Sequence, residues 1–313
     1  MAGPFVIIPD GFDKELFNQL KTTPGLEVHP ASKLSPQELE PLLAKVNALV
    51  IRSATRVDAQ MLSKAPNMKL VVRAGEGTDN IDKKACAEKG VKVCNTPGAN
   101  SNSAAEQAIA LLFAVLRRTP QAHATTAAGI WEKTKFEGME LWKKKVGVVG
   151  LGKIGQIVAK RISGFEPEIY YWDPYVSNSH PYKKVNELKD LFKSCDIITV
   201  HLPLIEQTKN LITMEHLSLL HSKAILINAA RGGIVNEQDL LTILTQKKIW
   251  GAGLDVFSKE PVDPASPFLK LENCVCTPHL GASTLEAQFR VGEMAVNQLK
   301  EFFFNNKLFN EVK

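Results

Sequence analysis

Short apolar runs alternate with polar, helix-compatible segments along this chain. In the first third, four such runs stand near turn signals such as Pro9-Asp10-Gly11. This alternation is typical of parallel strands joined by helices. The predicted strands there are residues 5–8, 48–51, 70–72 and 91–93. The pattern recurs with predicted strands at residues 146–149, 169–172, 197–200, 224–227, 253–256 and 274–276. We therefore predict an α/β protein with two doubly wound parallel sheets.

A long helix is predicted between the two sets of strands. Ser103 and Glu106 have the spacing of a capping box, and Arg117 and Arg118 would close the helix after Leu116 at its negative end. The helix is apolar nearly all round, which predicts burial on every side. It is either a central core helix or, because it falls between two domains, a hinge or subunit contact.

The last predicted helix, residues 283–305, leaves too little chain after it to start another domain. We expect it to cross back to the first domain, which both ends of the chain would then build. The predicted boundaries are residues 1–98 with 284–313 for this smaller domain and residues 99–283 for the larger one.

The stretch Gly150-Leu151-Gly152-Lys153-Ile154-Gly155 follows an apolar strand and opens a helix. Glycines at this spacing allow a tight turn, close approach of a pyrophosphate to the backbone, and close helix packing. Asp173, at the end of the next predicted strand, can accept hydrogen bonds from ribose hydroxyls and would repel a 2′-phosphate. No Arg follows it nearby, so NAD is favoured over NADP. The alternative is an ordinary turn with a surface Asp.

Composition narrows the class. At 313 residues with 44% apolar and 23% charged residues, the chain suits a soluble two-domain protein. The net charge of 38 − 33 = +5 is dispersed, which does not support nucleic-acid binding but suits a mildly basic cleft for a phosphorylated small molecule. The five cysteines lack disulfide or zinc spacing, so we expect a reducing compartment and no metal site.

No leader is recognisable at the N-terminus, and the longest apolar stretch, residues 108–116, is too short to span a bilayer. A cytoplasmic protein with no membrane or nucleic-acid partner is therefore expected.

Three candidate catalytic residues stand near strand ends in the second unit. Arg231, Glu260 and His279 are expected to converge, because ligands of open α/β sheets bind outside the carboxyl ends of the strands. For oxidation of a 2-hydroxy acid, His279 would take the hydroxyl proton, Glu260 would orient the imidazole, and Arg231 would clamp the carboxylate. Taken singly, they are also compatible with a loop His, a solvated Glu and a surface Arg.

At these residues the chain resembles the D-isomer-specific 2-hydroxyacid dehydrogenases over essentially its whole length. The stretches that carry the resemblance are residues 51–57 (IRSATRV), 73–82 (RAGEGTDNID), 95–97 (NTP), 100–101 (NS), 150–155 (GLGKIG), 228–233 (NAARGG) and 278–283 (PHLGAS). The resemblance implies that Arg231, Glu260 and His279 are catalytic and that NAD is the cofactor. It also implies a Rossmann-type coenzyme domain inserted into a smaller flavodoxin-like substrate domain, and a homodimer built through the coenzyme domains.

Further contacts follow from the resemblance. The cofactor-binding residues it implies are Gly150, Gly152, Lys153, Ile154, Gly155, Asp173, Pro203, Thr208, Ala229, Asp255 and Ala282. Within the family the likeness is greatest to the members that oxidise phosphoglycerate, which implies substrate contacts from Arg52, Ser53, Arg73, Gly77 and Asn100. Two cations at strand ends, Arg52 and Arg73, suit a substrate with both a phosphate and a carboxylate; the alternative is domain-interface salt bridges.

Two departures from similar proteins stand out. Glu76 occupies a position where they usually carry a small uncharged residue, and a carboxylate beside an anion pocket would repel substrate unless it turns away or pairs with Arg. The chain also ends at Lys313 without the serine-sensing extension of longer members, so we expect no feedback through such a domain.

The resulting hypothesis is NAD-dependent oxidation of 3-phospho-D-glycerate to 3-phosphohydroxypyruvate, the entry to L-serine synthesis. One alternative is a glyoxylate, hydroxypyruvate or other D-2-hydroxyacid reductase. A second is an NAD-sensing binding module without catalytic activity, although no peptide-docking groove is recognisable in the sequence.

Overall fold

In a computed structural model, residues 3–29 and 33–312 are described. The chain divides into two units, one of residues 1–100 with 282–313 and one of residues 101–281. Each contains a parallel sheet with helices, so the predicted α/β class is confirmed. No helix of the described ranges is both long enough and apolar enough to cross a membrane.

The strands of the described residues are β1 (Phe5–Ile7), β2 (Glu27–Val28), β3 (Ala48–Ile51), β4 (Leu70–Arg73), β5 (Lys92–Asn95), β6 (Lys145–Val149), β7 (Glu168–Trp172), β8 (Lys183–Lys184), β9 (Ile197–Val200), β10 (Ile225–Asn228), β11 (Gly251–Leu254) and β12 (Cys274–Cys276). The α-helices are α1 (Lys14–Lys21), α2 (Pro36–Leu39), α3 (Ala59–Ser63), α4 (Lys83–Glu88), α5 (Ser101–Arg117), α6 (Thr119–Ala127), α7 (Lys153–Ile162), α8 (Leu188–Ser194), α9 (Met214–Leu217), α10 (Glu237–Thr245) and α11 (Leu285–Asn305).

The sheet of the first unit has the strand order β2-β1-β3-β4-β5. Successive residues of a strand face opposite sides of a sheet, so Leu49 and Ile51 join one apolar cluster while Ala48 and Val50 join the other. The second of these clusters also contains residues of α1 and α11. Burial on both faces explains why β3 reads as an unbroken apolar run.

The sheet of the second unit has the order β12-β11-β10-β9-β6-β7-β8, and all its pairings are parallel. β6 pairs with β7 on one side and with β9 on the other. Strands β7 and β8 are therefore added on one side of β6, and strands β9 to β12 on its other side. This change of side is the topological switch point at which Rossmann-type sheets bind dinucleotides.

Helix α5 differs from its prediction in two features, its N-terminal cap and its burial. It begins at Ser101, two residues before the predicted cap, and the Ser103 hydroxyl is buried without a hydrogen-bond partner among the described residues. The capping box is therefore wrong: Glu106 instead pairs with Arg161, with Oε1 3.0 Å from Nη1. Burial on every side is also wrong, because Glu106 and Ala110 are exposed.

Strand β11 lies two residues before its predicted position. Its first residue, Gly251, is close-packed: a Cβ there would lie 2.6 Å from the Asn273 carbonyl oxygen and 3.1 Å from Val115 Cγ1. A glycine in a strand marks such close approach, although it weakens the strand signal in the sequence. Asp255 therefore directly follows the strand.

Candidate active site

The loops after β10, β11 and β12 carry the three candidate catalytic residues. The strands are neighbours in the sheet, so their carboxyl ends meet at one edge. His279 Nδ1 lies 2.7 Å from Glu260 Oε2, and the two side chains are 39% and 35% exposed. Because this contact uses Nδ1, Nε2 is the ring nitrogen that remains for a substrate.

Glu260 is held as a carboxylate. Burial raises its pKa, but the hydrogen bonds from His279 and the Phe257 N–H, together with the charges of His279 and Arg231, outweigh burial and lower the pKa. The Phe257 N–H donates to Glu260 Oε1 at 3.0 Å, so each carboxylate oxygen has one donor. An ionised, tethered carboxylate of this kind fixes the orientation of the imidazole.

Arg231 lies on a loop that the buried Asn228 side chain holds. Asn228 Oδ1 accepts from the Ala230 N–H at 3.1 Å, and Asn228 Nδ2 donates to the Arg231 carbonyl at 2.9 Å. A Cβ at Gly232 would lie 2.0 Å from the Phe257 carbonyl oxygen. The glycine therefore lets the Arg231 loop pack directly against the segment that leads to Glu260.

Asp255 holds the His279 loop. Its carboxylate accepts from the Thr277 hydroxyl at 2.5 Å, from the Leu280 N–H at 2.8 Å and from the Gly281 N–H at 2.9 Å. The side chain is fully buried, and its contact with the cofactor stays a prediction. Through these bonds Asp255 fixes the backbone that follows His279.

The glycine turn after β6 has the shape that a dinucleotide needs. Gly150 has φ +90°, and a Cβ at Gly155 would lie 2.1 Å from the Gly150 carbonyl oxygen. At Gly152, by contrast, an added Cβ would meet nothing within 4 Å. Gly152 is the N-cap of α7 and has no side chain to cap it, so the N–H groups of the first turn, at Lys153 and Ile154, suit a phosphate.

Asp173 stands beside this turn at the end of β7. Its Oδ2 accepts from the Leu151 N–H at 2.8 Å, and its Oδ1 accepts from the N–H groups of Tyr175 and Val176 at 2.8 and 3.0 Å. Three backbone donors therefore fix the carboxylate next to the glycine turn. Its contact with a ribose stays a prediction.

The other predicted cofactor residues lie near the same edge or outside this unit. Thr208 donates to the Pro203 carbonyl at 2.6 Å and holds the loop after β9, and Ala229 follows β10. Ala282 belongs to the first unit, where its carbonyl accepts from Gln288 Nε2 at 2.6 Å.

In the first unit, the loop after β3 carries Arg52 and Ser53. Asp10 Oδ2 accepts from the Arg52 N–H at 2.6 Å, and Asn80 Nδ2 donates to the Arg52 carbonyl at 2.7 Å. Burial lowers the pKa of the Arg52 guanidinium, and the charge of Asp10 acts in the opposite direction. Ser53 is exposed beside it.

The loop after β4 carries Arg73, Glu76 and Gly77. The Arg73 guanidinium folds back over Gly75 and donates to the Ala74 carbonyl at 2.6 Å. Gly77 is half-buried in the same loop.

Glu76 turns toward the loop after β5, where its Oε2 accepts from the Gly98 N–H at 2.5 Å. At the end of that loop, Asn100 Oδ1 is buried and has no hydrogen-bond partner among the described residues, and its contact with a substrate stays a prediction.

Sequence reasoning missed the support around His279. Gln107 of α5 donates to both Asp255 and Thr277. The available signal was a single amide in the middle of a long apolar helix.

Comparison with known proteins places these residues in a family. Residues 109–281 match the NAD binding domain of the D-isomer specific 2-hydroxyacid dehydrogenases. D-3-phosphoglycerate dehydrogenase of Archaeoglobus fulgidus is 42% identical over 290 residues, which are 92% of this chain and 55% of that protein. Hydroxypyruvate reductase of Thermotoga maritima is 40% identical over 301 residues, 96% of this chain and 98% of that protein.

Among solved structures, the TT0316 protein from Thermus thermophilus superimposes on this chain with a TM-score of 0.91 and 31% sequence identity. The match covers 99% of this chain and 100% of the TT0316 chain. The chain spans about half the length of the archaeal phosphoglycerate dehydrogenase that it matches. The matched domain and the full-length likeness show that this chain belongs to the D-isomer-specific 2-hydroxyacid dehydrogenase family and carries its NAD-binding domain.

Proposed function

We propose that this protein is an NAD-dependent dehydrogenase of D-2-hydroxy acids, with Arg231, Glu260 and His279 as its catalytic residues. The observation that carries the proposal is the 2.7 Å contact between His279 and Glu260, on loops packed against the Arg231 loop at the carboxyl edge of an NAD-binding sheet. An oriented imidazole beside a guanidinium is what proton transfer on a carboxylate-bearing substrate requires.

Each residue has one task in the proposed reaction. His279 Nε2 accepts the proton of the substrate hydroxyl in oxidation and returns it in reduction. Glu260 keeps the ring turned so that Nε2 faces the substrate, and Arg231 binds the carboxylate through parallel N–H bonds. NAD, when bound, supplies the acceptor for the two electrons.

For NAD itself, we assign the second unit as the coenzyme domain. The open space at Gly152 and the uncapped first turn of α7 support a pyrophosphate contact there, and the position of the Asp173 carboxylate beside this turn supports a contact with the ribose hydroxyls. Thr208, Pro203 and Ala229 complete this surface.

The proposed substrate is 3-phospho-D-glycerate, oxidised to 3-phosphohydroxypyruvate at the entry to serine synthesis. We assign the first unit as the substrate domain, with Arg52, Ser53, Arg73, Gly77 and Asn100 as the contacts. The buried Asn100 Oδ1, which has no hydrogen-bond partner among the described residues, supports this assignment. So do Arg52 and Arg73 at the ends of β3 and β4, and the likeness to phosphoglycerate dehydrogenases. Because Glu76 turns to the Gly98 N–H, its charge is partly satisfied within the protein.

A second candidate is reduction of hydroxypyruvate without a phosphate. The Thermotoga maritima reductase matches this chain over 98% of its own length, and the Arg73 guanidinium is engaged by its neighbouring carbonyl. Because hydroxypyruvate carries no phosphate, this reaction would not need Arg52 and Arg73 to bind one.

Steady-state reduction of phosphohydroxypyruvate, hydroxypyruvate and glyoxylate with NADH and with NADPH separates the candidates. We expect kcat/KM to be highest for phosphohydroxypyruvate with NADH. Arg52→Gln should lower that value roughly 100-fold and leave the value for hydroxypyruvate within a few-fold, because losing the hydrogen bonds of a half-buried charged group costs about 3 kcal/mol. Arg56→Gln, an exposed arginine four residues away, is the matched control.

Equal kcat/KM for all three substrates would contradict the phosphoglycerate assignment in favour of the general reductase. Bound NADH with no turnover of any 2-oxo acid would instead favour the binding module.

A further inference from the structure

We propose that Gln107 is a positioning residue that holds His279 in its reactive orientation through Asp255 and Thr277. The inference rests on the proposed role of His279. It concerns a residue of α5 that lies outside the three catalytic loops.

Gln107 closes a triangle of polar groups. Its Nε2 donates to Asp255 Oδ1 at 3.2 Å and to Thr277 Oγ1 at 3.0 Å, while the Thr277 hydroxyl donates to the same Asp255 oxygen at 2.5 Å. One amide group of α5 therefore joins the segment after β11 to the segment after β12.

The Asp255 end of this triangle sets the backbone of the His279 loop. Its carbonyl accepts from the His279 N–H at 2.8 Å, and its two carboxylate oxygens accept from the next two N–H groups, those of Leu280 and Gly281. His279 itself has φ +54°, a left-handed conformation that a residue with a side chain keeps only where its surroundings over-determine it. The bonds to Asp255 provide that constraint.

The side chain at position 107 is chemically suited to this task. Asp255 is an acceptor that is fully buried, and a neutral amide supplies donors to it without placing a second charge beside it. The neighbours of Gln107 on the inner face of α5, Ala104, Ala108 and Leu111, are buried and apolar, so they offer no other donor. Loss of the amide would leave the buried carboxylate with one donor fewer and the loop less constrained.

Two substitutions test the inference. Gln107→Met keeps the size and removes the donors. We expect kcat to fall roughly 10-fold to 100-fold through misplacement of the imidazole, with KM for NADH within about twofold of wild type.

Gln107→Glu places a second carboxylate against Asp255, and two carboxylates in contact share one proton. The kcat of that variant should be close to the wild-type value at acidic pH and should fall at least tenfold as the pH rises to neutrality. Returning the same sample to acidic pH should restore the higher kcat. Gln246→Glu, the same change at an exposed position of the same unit, is the control and should show no such dependence.

A readout without activity completes the test. In the cofactor-free protein, the nitrogen NMR signals of the His279 ring should report the bond from Nδ1 to Glu260 in wild type and in Gln246→Glu, and should lose it in Gln107→Met. An unchanged ring signal together with unchanged kcat would overturn the inference, as would a loss of NADH binding with kcat preserved.

The two proposals fail in different ways. If His279→Asn retains turnover, the proposed function is wrong. If His279→Asn abolishes turnover and both Gln107 variants behave as wild type, only the role of Gln107 is wrong. Should wild type turn over no 2-oxo acid, the ring signals still decide whether Gln107 holds His279.

Discussion

Glu260 couples the candidate site to pH. Its pKa is lowered, so its contribution to the pair with His279 is fully present above the ordinary value of 4.5 and is lost as the pH falls through the lowered value. In the reductive direction we expect wild-type kcat to fall on this acidic side. In Glu260→Gln the acidic fall should be absent, and kcat should be lower by roughly tenfold or more at neutral pH, because a neutral amide orients the imidazole less well.

The measurement is kcat for 2-oxo acid reduction from acidic to neutral pH. Glu272→Gln, which removes an exposed carboxylate from the same unit, is the control and should keep the wild-type profile. If Glu260→Gln kept the wild-type kcat and its acidic fall, the carboxylate would have no part in orienting His279.

Single residues also show where sequence reasoning ends. Arg231, Glu260 and His279 could be predicted to converge, because each follows a strand of one parallel sheet. The bond from Gln107 to Asp255 joins residues 148 positions apart, and no local pattern signals it. The direction of Glu76 was likewise open, because it depends on the Gly98 N–H of another loop.

At the scale of the element, the turn between β6 and α7 separates packing from binding. Gly155→Ala should cost about 1–3 kcal/mol of unfolding free energy, because its Cβ would overlap the Gly150 carbonyl and force helix and strand apart. Gly152→Ala has room, so the unfolding free energy should fall by no more than about 1 kcal/mol. Its methyl group would stand where the pyrophosphate approaches, so NADH affinity should fall roughly tenfold or more.

Chemical denaturation and fluorescence titration with NADH measure the two effects. Gly164→Ala, after the end of α7, also meets nothing within 4 Å and should change neither quantity. Unchanged NADH affinity in Gly152→Ala would mean that the dinucleotide does not use this turn.

Helix boundaries were harder to predict than strands. The strands β3, β9 and β12 have the predicted bounds because buried parallel strands are continuous apolar runs. Helix α5 starts before its predicted cap, since Ser103 is buried instead of capping the helix. The two-residue strands β2 and β8 were missed because neither Glu27–Val28 nor Lys183–Lys184 has an apolar pattern.

For the whole molecule, periodicity predicted two parallel sheets but could not order their strands. The order in each sheet depends on which crossovers place a helix on which face, and this is a property of tertiary packing. The resemblance to a family supplied that information, and the observed strand orders agree with it.

The homodimer stays a prediction, and exposed aromatic residues of the second unit offer a surface on which it can be tested. The rings of Phe113 and Phe165 are in contact, with 4.8 Å between their centroids and 53° between their planes, and Trp142 Nε1 donates to Glu166, the residue after Phe165. Phe165 and Trp142 are each about half exposed, as large apolar residues are at interaction sites. We propose that a second copy of the chain covers this patch around a two-fold axis, because an isologous contact buries the same residues on both partners.

Light scattering after size exclusion tests the dimer, which should have twice the mass of 34.4 kDa. Phe165→Asp places two like charges in or near the contact and should shift the protein to the monomer mass without unfolding it, because the side chain is half exposed in one chain. Leu285→Asp adds the same charge at an exposed position of the first unit and should stay dimeric. A monomeric wild type, or a dimer that survives Phe165→Asp at micromolar concentration, would place the subunit contact elsewhere or remove it.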